Sequence, residues 1–476
     1  MAEATPHTRE SVHGVVLGGG LAGVLAARAL RDHVDKVTVI ERDTYPDRPE
    51  PRKGAPQSHH AHILWSGGAE AIEALLPGTL DRLHTAGAHR IGVKQDMVLY
   101  SAYGWQHRFP SSHYALTCSR PLLDRTVRDA ALDDPRIQVL QGTQAQGLLG
   151  DHERVTGARV RTQDGTTRDL PADLVVDATG RGSRLKQWLG ELGLPPVTEE
   201  SVDTGLTYAT RVFRAPDGAP RPFPVVSVYA DHRTGRPGRN GLLLPIEDGR
   251  WIITLSGTRG GEPTTDENHF ATFARTLRDP LIADLINAAT PLTPVRTTRS
   301  TLNRRLHLDR LTRHPEGLVA LGDCVVSLNP IHGHGMSVAA RSAHALENCL
   351  RRAGGLKPGL ARTAQRAIAA AADAPWLLSA SQDLCYPDNR ADVSDPRLTT
   401  QAARRQGFAD LVTSASLVNE RVCDALTAVT TLTAPLAHLE TPEFLTVLRQ
   451  GPARPPLSAA PLSVAEAAVL RRTSTR

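Results

Sequence analysis

The chain has 476 residues, with 55 Lys or Arg against 50 Asp or Glu and a formal net charge of +5. That length suits two or three domains with a large core. The arginines are scattered, without the basic stripe that a nucleic-acid partner requires, and no apolar run reaches the roughly 18 residues of a membrane span. Five cysteines, none in CxxC spacing, predict neither a disulfide framework nor a thiolate metal site. With the polar stretch Met1–Glu10, which does not read as a secretory leader, they lead one to expect a cytoplasmic protein.

Val15-Val16-Leu17 reads as a buried strand, Gly18-Gly19-Gly20-Leu21-Ala22-Gly23 as a tight turn into an Ala/Leu-rich helix, and Val37–Glu41 as a second strand. Glycines at 18, 20 and 23 let the backbone lie against a pyrophosphate, whose charge rests on the helix N-terminus at Leu21 and Ala22. Glu41 closes the second strand roughly 20 residues on, where a carboxylate accepts ribose hydroxyls, and Arg42 follows it. This is the plan of a dinucleotide-binding βαβ unit. His59, His60 and His62 lie on a Pro/Gly-rich loop without a cysteine or carboxylate at metal-site spacing, so no metal site is expected. The loop reads either as a cofactor cover or as an ordinary polar surface loop.

Arg120 opens a helix at Ser119-Arg120-Pro121 and would otherwise be a solvated helix start. From Arg136 to Gly180 short alternating segments, with a hairpin signal at Asp164-Gly165, predict a β-meander. Asp173–Gly180 reads as a buried parallel strand ending in small residues. Leu206–Phe213 and Trp251–Ser256 read as strands of an antiparallel sheet. Of 19 aromatic residues, ten fall between Tyr100 and Tyr114 or between Tyr208 and Trp251. That enrichment fits either sheet propensity or an apolar substrate pocket. Gly317–Asp323 is another buried strand, followed by Pro330, Gly333, Gly335 and a helix from Met336. Helices are predicted over Ala361–Ala372 and Thr400–Ala415, and a mobile tail from Gly451.

An NAD dehydrogenase has no use for a second acidic loop and helix N-terminus so far downstream; a flavin does, because its ribityl chain and ring extend beyond the pyrophosphate. The three segments resemble the FAD-binding fold of the glutathione-reductase type as used by flavin monooxygenases related to p-hydroxybenzoate hydroxylase. The resemblance implies an α/β Rossmann FAD-binding fold with an inserted antiparallel β-sheet substrate domain and a C-terminal helical region. It places the discontinuous FAD domain at 1–84, 116–200 and 301–375, the substrate domain at 85–115 and 201–300, and the helical region at 376–450. It further implies that Asp323 meets a ribityl or pyrophosphate-side hydroxyl, that Pro330 borders the flavin face, and that Arg120 lies near the phosphates and ribityl. Gly333, Gly335 and Met336 would present backbone N–H groups to the flavin pyrimidine, where a helix N-terminus stabilises the reduced anion.

Arg52–Gly68, Ala102–Pro110, Gly180–Ser183 and Asn329–Met336 resemble more closely the flavin epoxidases of polyether ionophore biosynthesis. On that resemblance Arg52 lies near phosphate, Gln57 or His60 near the flavin, and His332 and His334 are candidates for polarising a flavin hydroperoxide. One departure is that His332 stands where an aromatic ring is expected. The implied reaction is epoxidation of carbon–carbon double bonds of an apolar polyketide polyene by FAD and dioxygen. Electrons would come from NADPH or NADH, directly or through a flavin reductase. No phenol is deprotonated, so no dedicated base is needed. The alternatives are an aromatic hydroxylase of the same fold; a flavin halogenase, against which the absence of WxWxIP and the scarcity of lysine speak; and a non-enzymatic FAD carrier.

Overall fold

The computed structural model describes residues 11–471. Five parallel strands form the central sheet in the order Leu318–Ala320, Leu174–Asp177, His13–Leu17, Lys36–Ile40 and Ile137–Leu140. Both faces are covered, which is why these strands are continuous Val/Leu/Ile runs. Val15 and Leu17 pack on one side with Val155, Val160 and Trp188. Val16 packs on the other with Ala26, Leu30, Leu346 and Ile368, as the pleat requires. The Leu21–Leu30, Gly335–Ala353 and Leu360–Leu384 helices supply that second side. The expected meander is present as three antiparallel strands, Gln144–Gly150, Val155–Arg161 and Thr167–Pro171, with Gly165 at φ +86° in the turn.

A mainly antiparallel eight-stranded sheet forms the second layer. Its long strands are Thr207–Arg214, Arg250–Gly257 and Arg239–Ile246, and Val225–Val228 joins Met97–Ser101 in parallel. The 85–115 insert is split, because His89–Gly92 pairs instead with Tyr114–Thr117 in a separate small sheet. Alternation within the large sheet resolves the aromatic enrichment. Phe213, Trp251 and Phe223 point with Val226, Leu243 and Leu255 to a core closed by the helix Leu281–Ala288. Residues of the opposite parity, including Tyr208, Tyr229, Met97, Leu99, Leu242 and Thr254, point into a cavity. Most of those aromatics are therefore core, and only Tyr103, Tyr208 and Tyr229 face the cavity.

Two expectations are corrected. The Leu360–Leu384 helix runs unbroken through residue 375, so that position marks no break between parts. The segment from Gly451 is not a loose tail over its described part. Leu457 bridges Trp105, the helix Val464–Arg471 buries Val469 in the core of the eight-stranded sheet, and buried Glu466 accepts from Arg108 Nη1 at 2.7 and 2.9 Å. The C-terminal helices Ala402–Ser416, Glu420–Thr430 and Pro442–Arg449 roof the cavity. They are held at the stretch 430–432, where the Thr431 carbonyl accepts from Gly67 N–H at 3.0 Å and the Leu432 carbonyl accepts from Arg341.

Candidate FAD and substrate site

Of the residues assigned to the cofactor or to catalysis in the sequence, all but Gly23 line one cavity of about 1410 Å³ that runs from the C-terminal ends of the parallel strands to the second sheet. The three fingerprint glycines do different work. Gly18 sits at φ +96°, and a Cβ there would lie 2.6 Å from the Ala178 carbonyl oxygen. A Cβ on Gly23 would lie 1.7 Å from the Gly18 carbonyl oxygen, so its role is helix–strand contact. Gly20 is extended, and a Cβ there meets only Arg52 Nη2, at 3.6 Å. Only the ligand space requires that glycine.

The Leu21–Leu30 helix begins with no side-chain cap and no acid in its first turn, and so does Gly335–Ala353. Leu21 and Ala22, and Gly335 and Met336, therefore bring two sets of free N–H groups to one cavity. A pyrophosphate and the pyrimidine edge of a flavin fit those two positions. Gly322, at φ +72°, packs onto Ala22 and carries Asp323 beside the first set. Asp323 has Arg181 Nε 3.5 Å away. Gly333, at φ +68°, turns the chain after Pro330, and a Cβ there would lie 2.5 Å from Ile63.

At the end of the Lys36–Ile40 strand Glu41 is buried and accepts from Gly19 N–H at 3.0 Å and Asp43 N–H at 2.9 Å, with Arg52 Nη1 2.8 Å away. Arg42 reaches the Gly54 carbonyl at 3.3 Å. These contacts lay the Arg52–His62 loop over the cavity, so it is a cover rather than a free surface loop. Its Gln57 stays exposed, while His60 Nδ1 meets Thr210 Oγ1 at 2.8 Å, tying the loop to the second sheet. Arg120 is paired with Asp124 at 2.6 Å at the cavity wall. His59, His60 and His62 do not converge, and among the described residues no group of three or more His, Cys, Asp or Glu could hold a metal.

Burial holds His60 down to about 4 and His334 to about 4, and burial together with the Arg120 charge holds His62 to about 3. All three are neutral near pH 7. His334 Nε2 donates to the Thr430 carbonyl at 3.0 Å, leaving Nδ1 buried without a partner. His332 is held differently: its Nε2 meets Asp383 Oδ1 at 3.1 Å, and buried Asp383 also accepts from Asn303 at 2.7 Å and Asn329 at 2.8 Å. The sequence reading missed Asp383 at this turn and Lys94 elsewhere on the cavity wall. Nothing local marks Asp383, which sits near the end of a long Ala-rich helix and reaches the turn only through tertiary packing.

A parallel sheet with two uncapped helix N-termini on one cavity defines a flavoprotein of the FAD-binding monooxygenase fold. Residues 11–353 match the FAD binding domain family, and the chain belongs to that family of flavin monooxygenases related to p-hydroxybenzoate hydroxylase. It is 31% identical over 385 residues to Protein Rv3254 of Mycobacterium tuberculosis, covering 79% of this chain and 80% of that protein. It is 28% identical over 359 residues to the kynurenine 3-monooxygenase of Salinispora tropica, covering 71% and 72%. The structure of the flavin-dependent brominase Bmp2 matches with a TM-score of 0.64 over 92% of this chain and 98% of that one, at 14% identity, which shows a shared fold alone. No helix among the described residues is long and apolar enough to cross a membrane.

Proposed function

We propose that the protein is an FAD-dependent monooxygenase that epoxidises carbon–carbon double bonds of a linear, apolar polyketide polyene. The observation that carries this reading is the aliphatic part of the cavity wall. Met97, Leu99, Leu242, Leu244 and, from the roof, Leu426 and Leu439 form an extended aliphatic lining, which suits a long hydrocarbon chain held by burial. When bound, reduced FAD activates dioxygen and supplies one oxygen atom to the substrate, with electrons from NADPH or NADH, directly or through a reductase.

The chain's own residues bind, orient and exclude water. The Gly335–Ala353 N-terminus offers N–H groups to negative charge at the ring edge. The loop bearing Arg52 and Gln57 and the C-terminal helices close the cavity, as an oxygen-transfer site requires. His332 is oriented at Nε2 by Asp383. Neutral His60 and His334 add no charge to the apolar lining.

A second reading is supported by the polar band Ser227, Asn240 and Thr254 on the same wall and by the similarity to a kynurenine 3-monooxygenase: an aromatic hydroxylase. Labelled dioxygen decides between them. Epoxidation of a polyene surrogate should add one labelled oxygen atom per epoxide, by mass analysis. Labelled oxygen transferred to phenols with every polyene refused overturns the epoxidase reading in favour of the hydroxylase, and unlabelled product overturns both.

A further inference from the structure

Lys94 lies at the connection between the strands His89–Gly92 and Met97–Ser101, one of only five lysines in a chain otherwise supplied with arginine. Its φ is +71°. Among the described residues only Lys94, Asp248, Asp388 and Leu432 are non-glycine residues at positive φ. Aspartate tolerates that conformation through its short polar side chain; lysine has no such compensation, so strain is held here.

The Lys94 side chain lines the cavity, and among the described residues it has no hydrogen bond and no ion pair. On the roof helix Glu420–Thr430 buried Cys423 interacts with it, and Val93 and Met97 of its own segment are buried. Desolvation pushes its ammonium below the ordinary lysine value, the response of a cation without an anion. An ammonium kept in such a place is stabilised by an anion arriving with a ligand. Beyond it Met97, Leu99 and Ser101 point into the same cavity, so the wall runs away from Lys94 for about 13 Å of strand.

We propose that Lys94 is the anchor for a terminal carboxylate, so that the substrate is a long unsaturated free acid whose double bonds are positioned by their distance from that carboxylate. The inference rests on the polyene reading and sharpens it. A thioester or ester lacks the anion, so hydrolytic release of the acyl chain from its carrier would precede this step.

The test uses the FAD-loaded enzyme and two probes, linolenic acid and its methyl ester, with binding measured by titration calorimetry. The wild type should bind the acid about tenfold or more tightly than the ester, the worth of one charged contact. Lys94→Met should bind both alike, at the ester's affinity, and Lys94→Arg should recover part of the preference. FAD content and melting temperature report folding, and Lys94→Gln, expected to lose the preference as Lys94→Met does, decides the matter should Lys94→Met fail to fold. Equal affinity of the wild type for acid and ester, no binding of the acid, or equal weakening of both probes in Lys94→Met overturns the anchor. Preference for the acid without oxygen incorporation into any alkene keeps the anchor and overturns the epoxidase reading. Incorporation into acid and ester with equal binding does the reverse.

Discussion

Gly20 is the residue at which cofactor binding separates from folding. Its backbone is extended and its Cβ space opens onto the cavity. Gly20→Val should therefore keep its apo melting temperature while FAD affinity falls about tenfold or more. Gly23→Val, whose Cβ would enter the Gly18 carbonyl, should fail to fold. Fluorescence titration with FAD on both variants checks this, and unchanged affinity in Gly20→Val would sink the fingerprint. Asp323 is a companion case. Its side chain is 37% exposed and its one cation, Arg181, is 3.5 Å away, so it adds little to the core. Asp323→Ala should lose about 1–3 kcal/mol of FAD binding with the fold intact; normal flavin content in the purified variant would assign the ribityl contact elsewhere. These residues were legible in the sequence because glycine spacing reports backbone conformation directly. Lys94 and Asp383 were not. The φ of one and the partners of the other are set by chain that arrives from elsewhere.

Secondary elements were readable wherever periodicity was clean, as in the parallel strands and the meander. The C-terminal segment was misread because Pro452–Pro456 has the composition of a linker. The signal that contradicts it is short: Ser463-x-x-Glu466 is a capping box, with Glu466 N–H to Ser463 Oγ at 3.3 Å and Ser463 N–H to Glu466 Oε2 at 2.7 Å. Glu466 thus both starts the last helix and receives Arg108. Glu466→Ala removes both roles and should cost about 2 kcal/mol of stability, read as a lower denaturant midpoint at unchanged slope. An unchanged midpoint would mean that the helix rests on its apolar face alone. The aromatic segments were ambiguous for a related reason: composition reports enrichment, but only strand parity tells core from cavity.

For the whole molecule, three histidines on the cavity wall make stability pH-dependent. His60, His62 and His334 are held near 4, 3 and 4, against about 6.5 in an unfolded chain. Between these limits the unfolded chain binds more protons than the folded one, so stability falls as pH drops from about 6.5 towards 4. The limit is about 1.4 kcal/mol per pH unit for each histidine. Melting temperature should decline between pH 7 and pH 5, and His334→Gln should flatten the decline. A melting temperature that holds level or rises over that interval would show that these rings are protonated in the fold.

The stretch 430–432 pins the roof to the Pro330–Met336 turn through His334 and to the neighbouring helices through Gly67 and Arg341, and a Cβ on Gly67 would lie 2.5 Å from the Leu432 carbonyl oxygen. A layer riveted there opens by swinging about the rivet. Within it the helix Ala402–Ser416 buries only Val412 and Ser416, so its amides should exchange with deuterium well before those of the Pro330–Met336 turn. A long substrate can then thread in and out past that helix while the cofactor end stays shut.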